Sequence, residues 1–165
     1  MVLKSIVISS IGCACRIQLY LIKCHMPYIT KQFKFCAAHK YWNPNWDKEK
    51  NFEVFGDDIR IHGHNYILDV TITGPINPDS GFIFDIQELR GIVNINVLSK
   101  LDHSQIQEDL DWFKNKQPST ENLVCFIWDS IVKHINKPAK LYKIKLRETP
   151  TIFTEYFGPG ENNDY

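Results

Sequence analysis

Four stretches of the chain alternate apolar and polar residues in the period-two rhythm of strands, and two stretches between them repeat at helical spacing. In residues 28–39, Phe33, Phe35, Ala37 and His39 share one side, while Thr30, Gln32 and Lys34 share the other. Residues 62–74 place His62, His64, Tyr66, Leu68, Val70 and Ile72 on one side, opposite Asn65, Asp69, Thr71 and Thr73. Turn formers from Gly74 to Gly81 then close the strand. Residues 140–148 set Tyr142, Ile144, Leu146 and Glu148 on one side, and 152–157 read as a fourth strand. Asp85, with Glu88 three positions on, opens a helix through Ile86, Leu89, Ile92, Val93 and Val97. Ser119 or Thr120, directly after Pro118, opens a second through Leu123, Ile127, Trp128, Ile131 and Ile135. Residues 41–58, rich in Asn, Trp, Asp and Lys with Pro44 and Gly56, follow neither period and read as a long loop. The order β-loop-β-α-α-β-β predicts an α+β domain, an antiparallel four-stranded sheet with two helices on one face.

Composition narrows the class. With 165 residues, 44% hydrophobic and 23% charged, the chain suits one globular domain and excludes collagen-like, mucin-like and disordered readings. No run approaches the 18 or so apolar residues of a membrane-spanning helix. Nineteen basic residues balance nineteen acidic ones, which argues against a general nucleic-acid binder. The balance is uneven along the chain, because no acidic residue precedes Asp47. Residues 1–25 carry Lys4, Arg16 and Lys23, and read as a leader, which would address an organelle, or as a non-native extension before a start at Met26. Residues 26–158 form the expected domain, 159–165 a tail, and from Met26 onward sixteen bases face nineteen acids, a charge of −3. Five cysteines without a C-x-x-C pair suit a reducing compartment, with the cytoplasm as the simplest setting. Cys36 and Cys125 read as small buried apolar residues.

Histidines carry the strongest chemical signal. His62 and His64 project from one side of a strand, so both imidazoles can grip one metal ion, and His39 ends an apolar side in the same way. Three imidazoles and an open position are the ligand set of catalytic zinc. Glu148 continues an apolar side, where a carboxylate needs a partner unless it lies solvated at a frayed strand end; two parallel N–H donors of a guanidine-like ligand edge would suit it. Asp102 beside His103 can orient and stabilise an imidazole for proton transfer. Asp57 and Asp58 precede the His-x-His strand as a base or as a solvated turn.

Five motifs occur in the order seen in the 6-pyruvoyl tetrahydropterin synthase family, which includes 6-carboxytetrahydropterin synthases. They are Phe35-Cys36-Ala37-Ala38-His39, His62-Gly63-His64-Asn65-Tyr66, Leu101-Asp102-His103, Ser119-Thr120-Glu121-Asn122 and Arg147-Glu148-Thr149. The chain resembles this family over about residues 28–158. The resemblance implies the tunnelling fold, in which subunits join their sheets into a barrel, usually a homohexamer with active sites between subunits. It implies zinc on His39, His62 and His64, a pterin ring clamped by Glu148 with help from Thr120 and Glu121, and proton transfer by Asp102 and His103. The implied substrate is 7,8-dihydroneopterin triphosphate, whose side-chain hydroxyls zinc would polarise. The implied setting is tetrahydrobiopterin, queuosine or folate biosynthesis.

The chain departs from the family at one position. Well-known members place a cysteine base a few residues before His-Gly-His, whereas residues 56–61 here read G-D-D-I-R-I. Asp58, or Asp57 less well, is the expected replacement, as some relatives use a glutamate and make 6-hydroxymethyl-dihydropterin. Cys36 is a poor substitute, since strand alternation turns it away from His39. A non-catalytic pterin or purine binder is the alternative from another class. The spacing Gly56-x5-His62-x-His64-x4-Asp69 also approaches a cupin motif, but Asp69 faces away from the histidines and two strong helices disagree. Because the domain is acidic overall, attraction for a triphosphate must be local, with Lys40 and Arg60 flanking the proposed ligands.

Overall fold

The two longest alternating stretches pair with each other. In the computed structural model, which describes residues 26–160, β1 (Tyr28–His39) and β2 (His62–Thr73) run antiparallel along their whole length. The register sets His39 opposite His62, Ala37 opposite His64 and Phe35 opposite Tyr66. The leader and the last residues of the tail lie outside the described residues. Helix α1 (Lys48–Phe55) follows β1, α2 (Ile86–Val93) follows β2, and a two-residue strand β3 (Ser104–Gln105) precedes α3 (Thr120–Ile131). Strands β4 (Lys140–Arg147) and β5 (Phe153–Tyr156) complete a sheet of order β3-β1-β2-β4-β5. The predicted α+β architecture is borne out, with a fifth strand that alternation could not reveal: β3 is two residues long and joins β1 in parallel.

Helices α2 and α3 cover one face of the sheet. Leu89, Val93, Leu123, Ile127 and Ile131 pack with Phe33, Phe35, Tyr66, Leu68, Val70, Ile144 and Leu146 in one buried cluster. Burying a side chain of this size stabilises the fold by about 1.5–3 kcal/mol. Asp85 caps α2 by accepting from the Gln87 amide at 2.8 Å, and Ser119 caps α3 by accepting from Asn122 at 3.4 Å. Beyond Val93 helix α2 widens into a π-type turn (Asn94–Leu98), and the helical stretch ends at Leu101.

Three expectations need correction. Residues 41–58 are not a plain loop, since α1 and a 3₁₀ turn (Gly56–Ile59) occupy much of them. The apolar pattern misses α1 because its one buried residue is Asn51, whose side chain donates to the carbonyls of Asn43, Trp46 and Asp47. The second correction concerns β4, where Thr71 pairs with Lys143 but Ile72 with Leu141. This bulge leaves Tyr142 unpaired and 38% exposed, while Leu141 turns into the core. The third is Cys36, which is exposed rather than buried.

Candidate active site

The covered face of the β1–β2 pair is apolar until its last rungs, where imidazoles replace hydrocarbon. His39, His62 and His64 bring one ring nitrogen each to within 4.8 Å of one another. His39 is fully buried; its Nδ1 lies 2.8 Å from the Pro118 carbonyl, and its buried Nε2 has no hydrogen-bond partner. The Nδ1 of His62 lies 2.9 Å from the Arg60 carbonyl. A carbonyl accepts only, so both Nδ1 atoms carry a proton, and each ring in its neutral form presents the Nε2 lone pair. Burial holds the His39 imidazole below its ordinary pKa, against the opposing pull of the Pro118 hydrogen bond and the Glu148 charge. A buried, neutral imidazole with an orphaned lone pair beside two others fits a zinc ion, whose common donors include neutral histidine nitrogen.

Glu148, one residue past β4, reaches into this cluster. Its Oε1 lies 3.4 Å from His39 Nε2 and 3.5 Å from His64 Nε2, and it accepts the Tyr66 hydroxyl at 3.2 Å. The side chain is only 11% exposed, so it is not a frayed, solvated end. Glu148 lines a cavity of about 610 Å³ with His64, Asn65, Ile67, Arg147 and Thr149. Two tyrosines absent from the expected site belong to it. Tyr66 is pushed up in pKa by burial and then by the Glu148 charge, so it remains a phenol donor. Tyr41 packs edge-on against His39 at 5.3 Å, and burial, with the charges of Glu148, Glu121 and Asp58, raises it to about 12. Its signal was available: Tyr41 stands two residues after His39, so the inward alternation runs past the strand end.

The remaining expected residues fall into three places. Asp58 Oδ1 lies 3.8 Å from His62 Nε2 with its side chain 60% exposed, and the Tyr41 amide donates to the Asp58 carbonyl at 2.9 Å. Arg60 is exposed and faces Asp57 at 3.7 Å. Thr120 is buried at the start of α3, where Thr154 of β5 donates to its hydroxyl at 2.9 Å. Glu121 is held below the ordinary carboxylate range by its own backbone amide and then by Ser119, as expected for an acid in a helix's first turn. Asp102 and His103 lie between α2 and β3, with their side chains 3.2 Å apart and His103 82% exposed.

A three-imidazole cluster with an inward carboxylate, at the end of a helix-backed antiparallel sheet, gives this α+β protein the donor set of a metal centre. The chain belongs to the 6-pyruvoyl tetrahydropterin synthase family, which it matches over residues 28–159. It is 36% identical over 134 residues to 6-pyruvoyl tetrahydrobiopterin synthase of Drosophila melanogaster, covering 80% of each chain. It is 35% identical over 130 residues to the protein of that name from Dictyostelium discoideum, covering 79% of this chain and 95% of the other. The structure of Caenorhabditis elegans 6-pyruvoyl tetrahydropterin synthase superposes with a TM-score of 0.76 at 28% identity, over 81% of this chain and 96% of that one. The family and the tunnelling fold expected from the motifs are therefore borne out.

Proposed function

We propose that this chain is a zinc-dependent lyase that acts on the side chain of 7,8-dihydroneopterin triphosphate and yields the 6-pyruvoyl product. The observation that carries the reading is the meeting of three imidazole nitrogens with the buried Glu148 carboxylate, in a chain similar over about four fifths of its length to proteins named for that product. His39, His62 and His64 would hold the ion. Zinc supplies Lewis-acid polarisation that lowers the pKa of a hydroxyl brought to it.

The protein's own groups do the rest. Glu148 accepts the adjacent amino and ring N–H donors of the pterin, two parallel charge-assisted bonds that fix the ring. Tyr66 holds the carboxylate in position by donating to Oε1. Tyr41 walls the His39 side of the site and, as a neutral phenol, adds no competing charge. Asp58 ties its turn to the chain after His39, its carbonyl accepting the Tyr41 amide. Asp102 and His103 move protons at the substrate side chain, in their own chain or in a neighbour's, since we also propose a homohexamer with sites between subunits.

Incubation of the zinc-loaded protein with 7,8-dihydroneopterin triphosphate, followed by mass analysis of the product, tests the reading. The expected result is the 6-pyruvoyl product at many turnovers, with zinc in the purified protein. A 6-carboxy or 6-hydroxymethyl product assigns a different branch, and full activity of metal-free protein sinks the zinc role. No product over many equivalents favours a pterin or purine binder.

A further inference from the structure

His39 is held by more than its hydrogen bond, and what else holds it comes from the segment between β1 and β2. The contact of Nδ1 with the Pro118 carbonyl fixes one atom of the ring, about which an imidazole can still swing. Of the aromatic rings packed against it, His62 at 4.5 Å and His64 at 5.1 Å are its proposed co-ligands. Among the described residues the remaining one is Tyr41, 5.3 Å away with its plane at 67° to the imidazole. That distance and angle fall in the edge-to-face range that aromatic rings prefer. Tyr41 is itself backed: Phe55, at the end of α1, stacks on it at 5.6 Å, and Trp46 stacks on Phe55 at 5.9 Å. The segment that carries these rings is closed at two points. Asn51, fully buried, accepts the Asn43 amide at 2.7 Å, and its side-chain nitrogen lies 3.0, 3.2 and 2.9 Å from the carbonyls of Asn43, Trp46 and Asp47. Gly56, at φ +57° in the left-handed region, ends α1 and turns the chain back, so that the Asp58 carbonyl accepts the Tyr41 amide at 2.9 Å. The stack thus runs from exposed Trp46 through Phe55 and Tyr41 to the buried imidazole.

We propose that Tyr41, backed by Phe55 and Trp46, is a positioning residue that sets the tilt of the His39 ring for the metal, and that α1 is the element carrying this brace. This rests on the zinc reading above. A metal–imidazole bond is short and directed along the nitrogen lone pair, about 2.0–2.1 Å for zinc, so a ring free to swing spends less of its time in a productive orientation. The Pro118 carbonyl selects the tautomer of His39, and Tyr41 removes the remaining swing. Outer contacts that orient a ligand ring contribute about 10–100-fold to metal affinity. The bracing is one-sided. His39 is fully buried, whereas the side chains of His62 and His64 remain 29% and 20% exposed. An ion therefore meets one fixed ligand and two that can adjust to it. The aromatic ring does this work rather than the hydroxyl, because the contact with His39 is between ring systems, and phenylalanine would keep it.

Titration of the metal-stripped full chain with zinc, in competition with a chromophoric chelator, tests the brace without any substrate. Tyr41→Ala is expected to lose about 10-fold or more in zinc affinity, and Tyr41→Phe to stay within about threefold of wild type. Phe55→Ala, which removes the backing but leaves Tyr41, is expected to lose less than Tyr41→Ala. Circular dichroism checks the fold of each; should Tyr41→Ala fail to fold, Tyr41→Leu fills the space without a ring and carries the same expected loss. Ile131→Ala, at the end of α3 away from Pro118, separates the brace from general stability and is expected to keep zinc affinity within about threefold. Zinc affinity of the ring-less variant within about threefold of wild type overturns the proposal while leaving the zinc reading standing. So does a loss in Tyr41→Phe as large as in Tyr41→Ala, or an equal loss in Ile131→Ala. A wild-type chain that takes up no zinc overturns the zinc reading itself, and the brace with it.

Discussion

The two faces of the β1–β2 pair use the same strands to opposite ends. On the helix-covered face, successive inward residues are hydrocarbon until His39, His62 and His64, and hydrogen bonds hold the His39 and His62 rings by Nδ1 and Glu148 by the Tyr66 hydroxyl. On the open face, Thr30, Gln32, Lys34 and Cys36 look outward, and the reactive groups there are tied by backbone while their tips remain exposed. The covered face therefore confines its polar groups within a packed setting. The open face keeps its polar side chains in reach of solvent, with Cys36 exposed and His103 82% exposed. A metal centre needs the first property and proton transfer needs the second, and a strand delivers both because neighbouring residues point opposite ways.

The contrast breaks most visibly in stability. Leu68→Ala, at a fully buried position between the helices and the sheet, is expected to cost about 2–5 kcal/mol in chemical denaturation. Lys34→Ala, on the open face, is expected to stay within about 0.5 kcal/mol. A Lys34→Ala loss as large as that of Leu68→Ala would mean that the open face is itself packed. Next in size, His39→Ala is expected to weaken zinc binding by at least about 100-fold, more than the effect usual for an outer-shell partner, read by titration after chelation. Unchanged zinc affinity would remove the covered face from metal binding.

Most of the architecture was legible because period-two alternation survives in β1, β2 and β4, and both covering helices announce themselves by caps. What escaped has physical causes. Helix α1 is organised around the hydrogen bonds of Asn51, so it leaves no apolar stripe to read. The β4 bulge changes phase at Tyr142, which a simple alternation assigns to the wrong side. In the site, alternation gave His62 and His64 a common facing and His39 the end of a similar side, and the β1–β2 register brings the three together. The placement of Cys36 beside His103, whose amide donates to the Cys36 carbonyl, had no such signal, because it depends on a positive-φ turn and a parallel two-residue strand between positions 67 residues apart. Alternation correctly turned Cys36 from His39; it was silent on what waits on the other side.

A smaller effect sharpens the role of the carboxylate between the imidazoles. Glu148→Gln keeps the shape and one acceptor but loses the charge that strengthens both bonds to a pterin edge. Affinity for a dihydropterin is expected to fall about 10- to 100-fold, in line with about 1.5–3 kcal/mol for a charge-assisted bond, with the fold intact by circular dichroism. Unchanged affinity, measured by calorimetry, would refute the clamp and leave Glu148 as a partner of the histidines alone.

The smallest effect is in pH, and its sign follows from burial. In the metal-free protein the folded His39 binds its proton below the ordinary value of 6.5, chiefly because burial penalises the imidazolium. The unfolded chain takes up that proton first as pH falls, so protonation favours unfolding. His39 therefore costs no stability above about pH 6.5 and lowers stability progressively as pH falls from 6.5 toward its depressed folded value. The slope contributed by one proton is at most about 1.4 kcal/mol per pH unit. His39→Gln, which cannot titrate, is expected to flatten the denaturation midpoint across that window relative to wild type, both stripped of metal. An equal slope in the two proteins would show that His39 is solvated when folded, and that the covered face is less closed than its hydrogen bonds make it.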